Sequence, residues 1–219
     1  MNPSTAVIVF ARAPQLGRVK TRLTPSLGEQ GALDLYRAML RHALEVANQC
    51  AADELILACT PDTRDPQLRD MGKAVGARLE AQQGVDLGAR MCYALSGALH
   101  RHQVALLIGS DCPSLQSADL LDARKRALNE QASARDEAMV FIPATDGGYV
   151  LVGGSACWPE IFVDMPWGTA DVMKQTRQRL RSKRHTWHEL EAQHDIDTAE
   201  DLVFLPEGLR ESIAVAPKF

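Results

Sequence analysis

A single aspartate, Asp111, is the residue of this sequence best placed for metal or nucleotide chemistry. It follows the apolar run Val104–Ile108, which is typical of a strand buried on both faces, and Pro113 ends that strand. Ligands of open α/β sheets collect at the carboxyl ends of the strands, where a carboxylate can bind a divalent metal or a ribose. We therefore predict that Asp111 is a metal ligand and a catalytic residue. Capping of the next turn or helix is the structural alternative.

A basic loop follows the first apolar run of the chain. Residues 12–23 contain four basic residues and no acidic residue, and they come directly after the apolar residues 6–11. Arg offers a fork of donors and Lys a mobile point charge, so Arg12, Lys20 and Arg22 indicate a phosphate-binding loop. The glycines are too few for a G-x-G-x-x-G or a Walker A motif. A merely solvated basic loop is the alternative.

A second acidic motif lies near the end of the chain. Residues 194–197 read His-Asp-Ile-Asp, which alternates in the manner of a strand before a helix. If this run is extended, Asp195 and Asp197 face the same way, and Asp197 becomes a second carboxylate that can reach a shared metal. The sequence does not decide which of the two is the ligand. Capping by Asp197 or Thr198 is the structural alternative.

The Asp-Gly pair at 146–147 lies between two apolar runs and predicts a hairpin. In a functional interpretation, Gly147 and Gly148 let a ligand approach the backbone while Asp146 points into the cleft and binds or deprotonates an acceptor. Trp167 lies in an irregular segment, where it can stack on a sugar or base or fill a corner of the core.

The elements that position these residues alternate between strand and helix patterns. We predict strands at 6–11, 54–60, 77–82, 104–108, 139–143, 149–154 and 185–190, with helices in most of the intervals and a polar link at 131–136. Asp86 is expected to be the N-cap of a helix that runs to about residue 100. The strand-to-helix turn before that helix places Asp86 and Arg90 at the same edge of the sheet as Asp111.

Composition narrows the class of protein. The chain has 219 residues, 24% charged and 46% hydrophobic, which is ordinary for a soluble globular domain. The net charge of -4 argues against nucleic-acid binding, and the first apolar run is too short for a signal peptide or a membrane span. We therefore expect a cytoplasmic protein without a membrane partner. The five scattered cysteines lack a C-x-x-C spacing and indicate free thiols.

Together these motifs resemble the bacterial GT-A-type transferases called rSAM/selenodomain-associated transferase 1, or arsenosugar-biosynthesis glycosyltransferases. The resemblance covers most of the chain. It depends on residues 10–14 with 17–23, 86–88 with 90–91, 109–113, 146–149, and Trp167 with Thr169. The loop at 20–23 and the tail at 195–202 also resemble the guanylyltransferases of phospholactate and of molybdenum-cofactor synthesis, which share the nucleotide-diphospho-sugar transferase fold.

The resemblance implies one Rossmann-like, three-layer α/β domain over residues 1–219, with a mostly parallel central sheet, helices on both faces and nucleotide at the carboxyl edge. The predicted catalytic residues are Asp111, Asp146 and Lys20, and the predicted metal ligands are Asp111 and Asp197. The predicted nucleotide and phosphate contacts are Ala11, Arg12, Lys20, Arg22, Asp86, Arg90 and Ser110. The predicted acceptor contacts are Asp146, Gly147, Gly148, Trp167 and Thr169.

The predicted activity is sugar transfer from a nucleoside diphosphate sugar to a small acceptor, with Mg²⁺ or Mn²⁺ as cofactor. This chain has Ser-Asp-Cys-Pro at 110–113, where many metal-dependent GT-A enzymes have Asp-x-Asp. Nucleotidyl transfer from a nucleoside triphosphate to a phosphorylated small molecule, which uses two separated aspartates, is therefore the main alternative. A nucleotide-binding module without turnover is a further alternative, and a homodimer is left open.

Overall fold

The computed structural model describes residues 4–128 and 137–211. The predicted polar link at 131–136 lies outside these residues. The described residues form an α/β structure around one seven-stranded sheet in the order β3-β2-β1-β4-β6-β5-β7. The strands are β1 Thr5–Arg12, β2 Glu54–Thr60, β3 Arg78–Ala81, β4 Val104–Ile108, β5 Ala138–Pro143, β6 Tyr149–Gly154 and β7 Thr186–Glu189.

The sheet is mostly parallel, which confirms the predicted fold class. Strand β1 pairs in parallel with β2 and β4, β2 with β3, and β5 with β7. Only β6 runs the other way, because the hairpin at 146–147 returns it between β4 and β5. All five residues of β4 are buried, as expected of a strand covered on both faces.

Helices cover both faces of the sheet. They are α1 Thr24–Gln49, α2 Pro66–Ala74, α3 Leu87–Leu99, α4 Ser117–Leu128, α5 Val172–Lys183 and α6 Glu207–Glu211. On β1, Val7 and Val9 face the core shared with α1, α2 and α4, while Ala6 and Ile8 face the core shared with α3 and α5. This alternation follows from the two-residue period of a strand and gives the three predicted layers. No helix of the described residues is long and apolar enough to cross a membrane.

The tail of the chain differs from its prediction. Residues 194–197 do not form a strand, since Gln193 makes only an isolated bridge with Ala144, and the helix that follows is the 3-10 helix Glu200–Phe204. A third core cluster fixes this tail instead, because Ile196 and Leu205 are buried together with residues of α1. The backbone N–H of Ile196 also donates to the carbonyl oxygen of Asp111 at 2.9 Å, so tertiary contacts carry the tail to the end of β4.

Candidate active site

A cleft of about 530 Å³ opens at the carboxyl edge of β1 and β4. Its position agrees with the rule that ligands of open α/β sheets bind beyond the carboxyl ends of the strands. Eight of the residues predicted from sequence line it: Ala11, Arg12, Lys20, Arg22, Arg90, Ser110, Asp111 and Asp197. The chain therefore brings the basic loop, the end of β4 and the acidic tail to one place.

Lys20 joins these three segments. Its Nζ lies 3.0 Å from Oδ2 of Asp111 and 2.7 Å from Oδ1 of Asp197, and it donates to the carbonyl oxygen of Ile196 at 2.7 Å. Only 6% of the Lys20 side chain is exposed, whereas the two carboxylates expose 42% and 38%. The ammonium therefore lies beneath two carboxylates that still face the cleft.

The local backbone sends the Lys20 side chain inward. Lys20 has left-handed angles (φ 47°, ψ 43°) and is the N-cap of the 3-10 helix Thr21–Leu23. Its neighbours Val19 and Leu23 are 5% and 0% exposed, so the loop is fixed to the core on both sides of the lysine. A left-handed conformation is strained for a residue other than glycine, and it persists only where the surroundings hold it in place. Here the three contacts of the ammonium hold it.

The charges of Lys20 and Asp111 stabilise each other. Burial raises the pKa of Asp111, but the Lys20 ammonium and the Ser110 hydroxyl, which donates to Oδ1 at 2.9 Å, bring that pKa below its usual value. Burial lowers the pKa of Lys20, but Asp111 and Asp197 raise it above its usual value. Both groups are therefore charged at neutral pH.

The carboxylate of Asp197 faces the cleft and does not cap the turn that follows it. Asp201 holds that turn, because its Oδ2 accepts from the backbone N–H of Asp197 at 3.0 Å and of Thr198 at 2.7 Å. Asp197 instead contacts Lys20, and its Oδ2 lies 3.9 Å from Nη1 of Arg22. Its side chain is thus free of the capping role that the sequence left open.

Asp195 shares this edge of the molecule without lining the cleft. Burial raises the pKa of Asp195 to about 6, and the negative charges of Asp146, Asp197 and Asp111 add to the effect. Four carboxylates therefore lie near one another, with the Lys20 ammonium against two of them. Of the two tail aspartates, Asp197 is the one that shares the cleft and the lysine with Asp111.

Arginines surround the cleft. Arg12, Arg18 and Arg22 are exposed in the basic loop, and Arg90 lines the cleft from α3. Within residues 4–128 and 137–211, Arg12 and Arg18 have no carboxylate at ion-pair distance, and the Nε of Arg90 donates to the carbonyl oxygen of Gly84 at 3.1 Å. Unpaired guanidinium groups at the mouth of a cleft favour an anionic ligand.

Arg18, Tyr36 and Gln82 are among the polar residues of the cleft that the sequence reasoning missed. The hydroxyl of Tyr36, on α1, donates to the carbonyl oxygen of Arg12 and accepts from its N–H, both at 2.8 Å, and burial raises the pKa of Tyr36 to about 12. The Gln82 amide donates to the carbonyl oxygens of Ala11 and Ala58 at 3.3 and 2.9 Å. Arg18 belongs to the basic loop, so its charge could have identified it as a candidate phosphate ligand. Tyr36 gave no such signal, because its spacing is typical of the apolar face of a helix.

The remaining predicted site residues lie outside the cleft lining: Asp86, Asp146, Gly147, Gly148, Trp167 and Thr169. Asp86 caps α3, since its Oδ1 accepts from the N–H of Ala89 at 2.7 Å. Asp146 is exposed in the hairpin turn, where its Oδ1 accepts from the N–H of Gly148 at 2.8 Å. Thr169 donates to the carbonyl oxygen of Pro166 within its own loop.

One aromatic side chain, Trp167, packs behind the cleft. Trp167 lies edge to face with Tyr149 at 6.2 Å between ring centroids, and Tyr149 lines the cleft. Trp167 also packs on Gly88, where a Cβ would overlap the indole ring. Its indole Nε1 and the hydroxyl of Tyr149 are buried and have no hydrogen-bond partner among the described residues. Trp167 therefore supports the wall of the cleft instead of forming its surface.

The paired carboxylates fit a divalent cation of the magnesium type. Asp111 and Asp197 supply hard oxygen ligands that face the cleft. Mg²⁺ in nucleotide sites is usually held by one or two carboxylates, with water and substrate phosphates at its other positions. In the part of the chain that the structure describes, no group of three or more His, Cys, Asp or Glu side chains forms a fuller metal site. Two carboxylates therefore leave most positions to a phosphate-bearing ligand.

Comparison with known families gives one match, to the family described as "uncharacterized protein conserved in bacteria (DUF2064)", over residues 43–169. The match includes β4, Asp111 and the hairpin but not the basic loop or the acidic tail. No curated protein matches the chain.

Solved structures share the fold. A protein from Desulfovibrio desulfuricans G20, provisionally described as a nucleotide-diphospho-sugar transferase, is 30% identical with a TM-score of 0.76 over 90% of this chain and 84% of its own. A cytidylyltransferase from Leptospira borgpetersenii is 14% identical (TM-score 0.60; 98% and 94% covered). Glucosyl-3-phosphoglycerate synthase from Mycobacterium tuberculosis, in a complex with Mn²⁺ and UDP, is 12% identical (TM-score 0.52; 97% and 78% covered). At these lower identities the likeness establishes the fold alone.

Proposed function

The chain belongs to the DUF2064 family of bacterial proteins, and from that premise we propose that it transfers a sugar from a nucleoside diphosphate sugar to a small acceptor. The observation that carries the proposal is the Lys20 ammonium, held between Asp111 and Asp197 at the bottom of a cleft lined by arginines. The relative from D. desulfuricans, at 30% identity, supports the same class of donor. A donor of this class carries a diphosphate, the anion that such a cleft can hold.

In this proposal the basic loop binds the donor diphosphate. Arg12 and Arg22 project from the loop at the cleft, and each can donate to phosphate oxygens through its guanidinium fork. Lys20 supplies a point charge at the bottom of the cleft. Departure of the nucleoside diphosphate places negative charge on the leaving oxygen, and cations already fixed beside that oxygen stabilise the charge without reorganising.

The proposed cofactor is Mg²⁺ or Mn²⁺, held by Asp111 and Asp197. When bound, the metal would neutralise the leaving diphosphate as a Lewis acid. The Mn²⁺ bound in the M. tuberculosis synthase is consistent with this cofactor. Ser110 keeps the Asp111 carboxylate oriented by donating to its Oδ1, so this chain's own residues hold the proposed ligand in one rotamer.

We propose that the sugar acceptor binds at the hairpin that contains Asp146. Asp146 is exposed, and one of its carboxylate oxygens already accepts from Gly148, which fixes the side chain. The second oxygen can accept a hydrogen bond from an acceptor hydroxyl. Trp167 and Thr169 belong to the segment before α5, which packs on this turn, since Gly147 abuts Ala170 and its carbonyl oxygen accepts from the N–H of Met173 at 2.8 Å.

Nucleotidyl transfer from a nucleoside triphosphate is the second candidate. It is favoured by one observation: two carboxylates from separate elements, Asp111 and Asp197, meet at one lysine in place of an Asp-x-Asp pair. In this reaction the same basic loop would hold the departing pyrophosphate.

Product analysis tests both candidates. The protein is incubated with Mn²⁺ or Mg²⁺ and a panel of nucleotide sugars and nucleoside triphosphates, with small phosphorylated and hydroxylated acceptors. Release of nucleoside diphosphate from a nucleotide sugar would support sugar transfer, and release of pyrophosphate would support nucleotidyl transfer. Tight nucleotide binding with neither product would contradict both and favour a binding module.

A further inference from the structure

Two cysteines outside the cleft lie in contact with each other. The Sγ of Cys92, on α3, is 3.8 Å from the Sγ of Cys157, which follows β6. Both thiols are free and partly exposed, whereas Cys50, Cys59 and Cys112 are buried. The sequence places the pair 65 positions apart and gave no sign of this contact.

The two sulfur atoms are in van der Waals contact. A disulfide has a sulfur to sulfur distance of about 2.0 Å, so the two atoms must approach by about 1.8 Å. Rotation of two cysteine side chains with small backbone shifts can close such a gap. Cys92 also lines a second, open cavity beside β3, through which a small oxidant can reach it from solvent.

The surroundings favour a pair of thiols over a metal site. Burial, together with the neighbouring Cys92, raises the pKa of the Cys157 thiol to about 12, so that thiol is protonated at neutral pH. No third His, Cys, Asp or Glu completes a metal-binding group at this place among the described residues.

We propose that Cys92 and Cys157 form an intramolecular disulfide when the protein meets a low-molecular-weight disulfide such as oxidised glutathione. Cys92, which lines the open cavity, attacks oxidised glutathione as the thiolate, which forms a mixed disulfide and releases one glutathione. Cys157 then gives its proton to solvent, and its sulfur attacks the Cys92 sulfur of the mixed disulfide, which breaks the bond to the second glutathione and releases it. Two protein thiols are thereby oxidised, and one glutathione disulfide is reduced to two glutathiones.

The bond would fasten two parts of the cleft wall to each other. Helix α3 carries Arg90 and Met91 of the cleft immediately before Cys92. Cys157 begins the irregular segment that leads to Trp167, which packs on Gly88 in the first turn of α3. Closing a loop of this length restricts the unfolded chain, so the oxidised protein should melt about 5–10 °C higher than the reduced protein.

The test uses the full chain, reduced and then exchanged into oxidised glutathione at neutral pH. Thiols are counted in denaturant, and the protein is digested without reductant for mass spectrometry. We expect the count to fall from five to three, the intact mass to fall by two hydrogen atoms, and one cross-linked peptide pair to contain Cys92 and Cys157. Cys157→Ser should carry a glutathione adduct on Cys92, and Cys92→Ser should form no cross-link, while Cys50→Ala should lose two of its four thiols and form the same cross-link as the parent.

Three results would overturn the proposal. The first is a parent protein that keeps five thiols under conditions in which a dithiol control peptide is oxidised. The second is a cross-link that joins a different pair of cysteines. The third is a cross-linked protein that melts no higher than its reduced form, since this would show that the bond forms only in a distorted or unfolded state.

Discussion

Replacing Lys20 tests the centre of the proposed site most directly. Lys20→Met keeps the aliphatic stem and removes the charge, while Lys20→Ala removes both. Neither change relieves the left-handed backbone at this position, so the two variants share its strain. The ammonium has three oxygen contacts of 2.7–3.0 Å, to Asp111, Asp197 and the carbonyl oxygen of Ile196.

Two magnitudes follow from this geometry. Removing one partner of a fully buried ion pair costs about 3–5 kcal/mol. Here the two carboxylates are 42% and 38% exposed, so water relieves part of their repulsion, and we expect a loss of about 1–2 kcal/mol in the free energy of unfolding. Because its three N–H donors are already used, Lys20 acts on the donor phosphates as a positive charge behind the two carboxylates. If this interaction is worth as much as a charge-assisted hydrogen bond, about 1.5–3 kcal/mol, donor binding should weaken about tenfold to a hundredfold.

Calorimetry with a nucleoside, its diphosphate and its triphosphate measures the effect, with thermal unfolding to establish that each variant is folded. The loss of affinity should grow with the number of phosphates, and the nucleoside should bind parent and variants alike. Lys174→Ala is the matched control, because Lys174 is an exposed lysine whose ion pair with Asp171 lies away from the cleft. A folded Lys20→Met protein that discriminates among the three ligands as the parent does would refute the reasoning.

Three further predictions concern the carboxylates. Asp111→Asn should abolish metal-dependent nucleotide binding with the fold intact, and equal affinity of variant and parent in calorimetry with Mn²⁺ present would contradict this. Asp197→Ala should reduce turnover strongly and lower the Tm little, because Asp197 faces the cleft and does not hold the turn. The control Asp201→Ala, which removes the acceptor that holds the turn, should mainly lower the Tm. The pKa of Asp195 is raised to about 6 in the folded state from 3.8, so the folded state binds the proton more tightly and this group's contribution to stability falls as pH rises from about 4 to about 6. Asp195→Asn should therefore raise the Tm relative to the parent more at pH 7.5 than at pH 4.5, and an equal difference at both pH values would show that the carboxyl is not perturbed.

Local patterns determined most of the elements in this protein. Strand β2 was predicted at the residues where it occurs, and Asp86 caps α3 as expected. The Asp-Gly pair makes the predicted hairpin. Each of these features depends on residues within a few positions of one another: on two-residue alternation, on a side-chain oxygen that accepts from the next turn, or on glycine where φ is positive.

The sequence also predicted that the basic loop lies at the cleft, because a loop that follows the carboxyl end of a core strand must lie at that edge of the sheet. The position of the proposed acceptor residues relative to the cleft could not be predicted. Asp146 and Trp167 lie near the cleft but outside its lining, since the hairpin and the segment before α5 pack on each other. Sequence placed these residues on the correct edge without giving their depth or direction.

Only the tertiary structure decided how the charged residues meet. Lys20 and Asp197 are separated by 177 positions, and the tail that carries Asp197 is neither a strand nor a long helix. It reaches the site because Ile196 is buried against α1 and its N–H bonds to the Asp111 carbonyl oxygen. The sequence by itself indicated which side chains are ionisable and where most of the strands and helices lie. The charged side chains meet because of burial and backbone hydrogen bonds between distant segments. Such contacts produce no periodic pattern in the sequence from which they could be predicted.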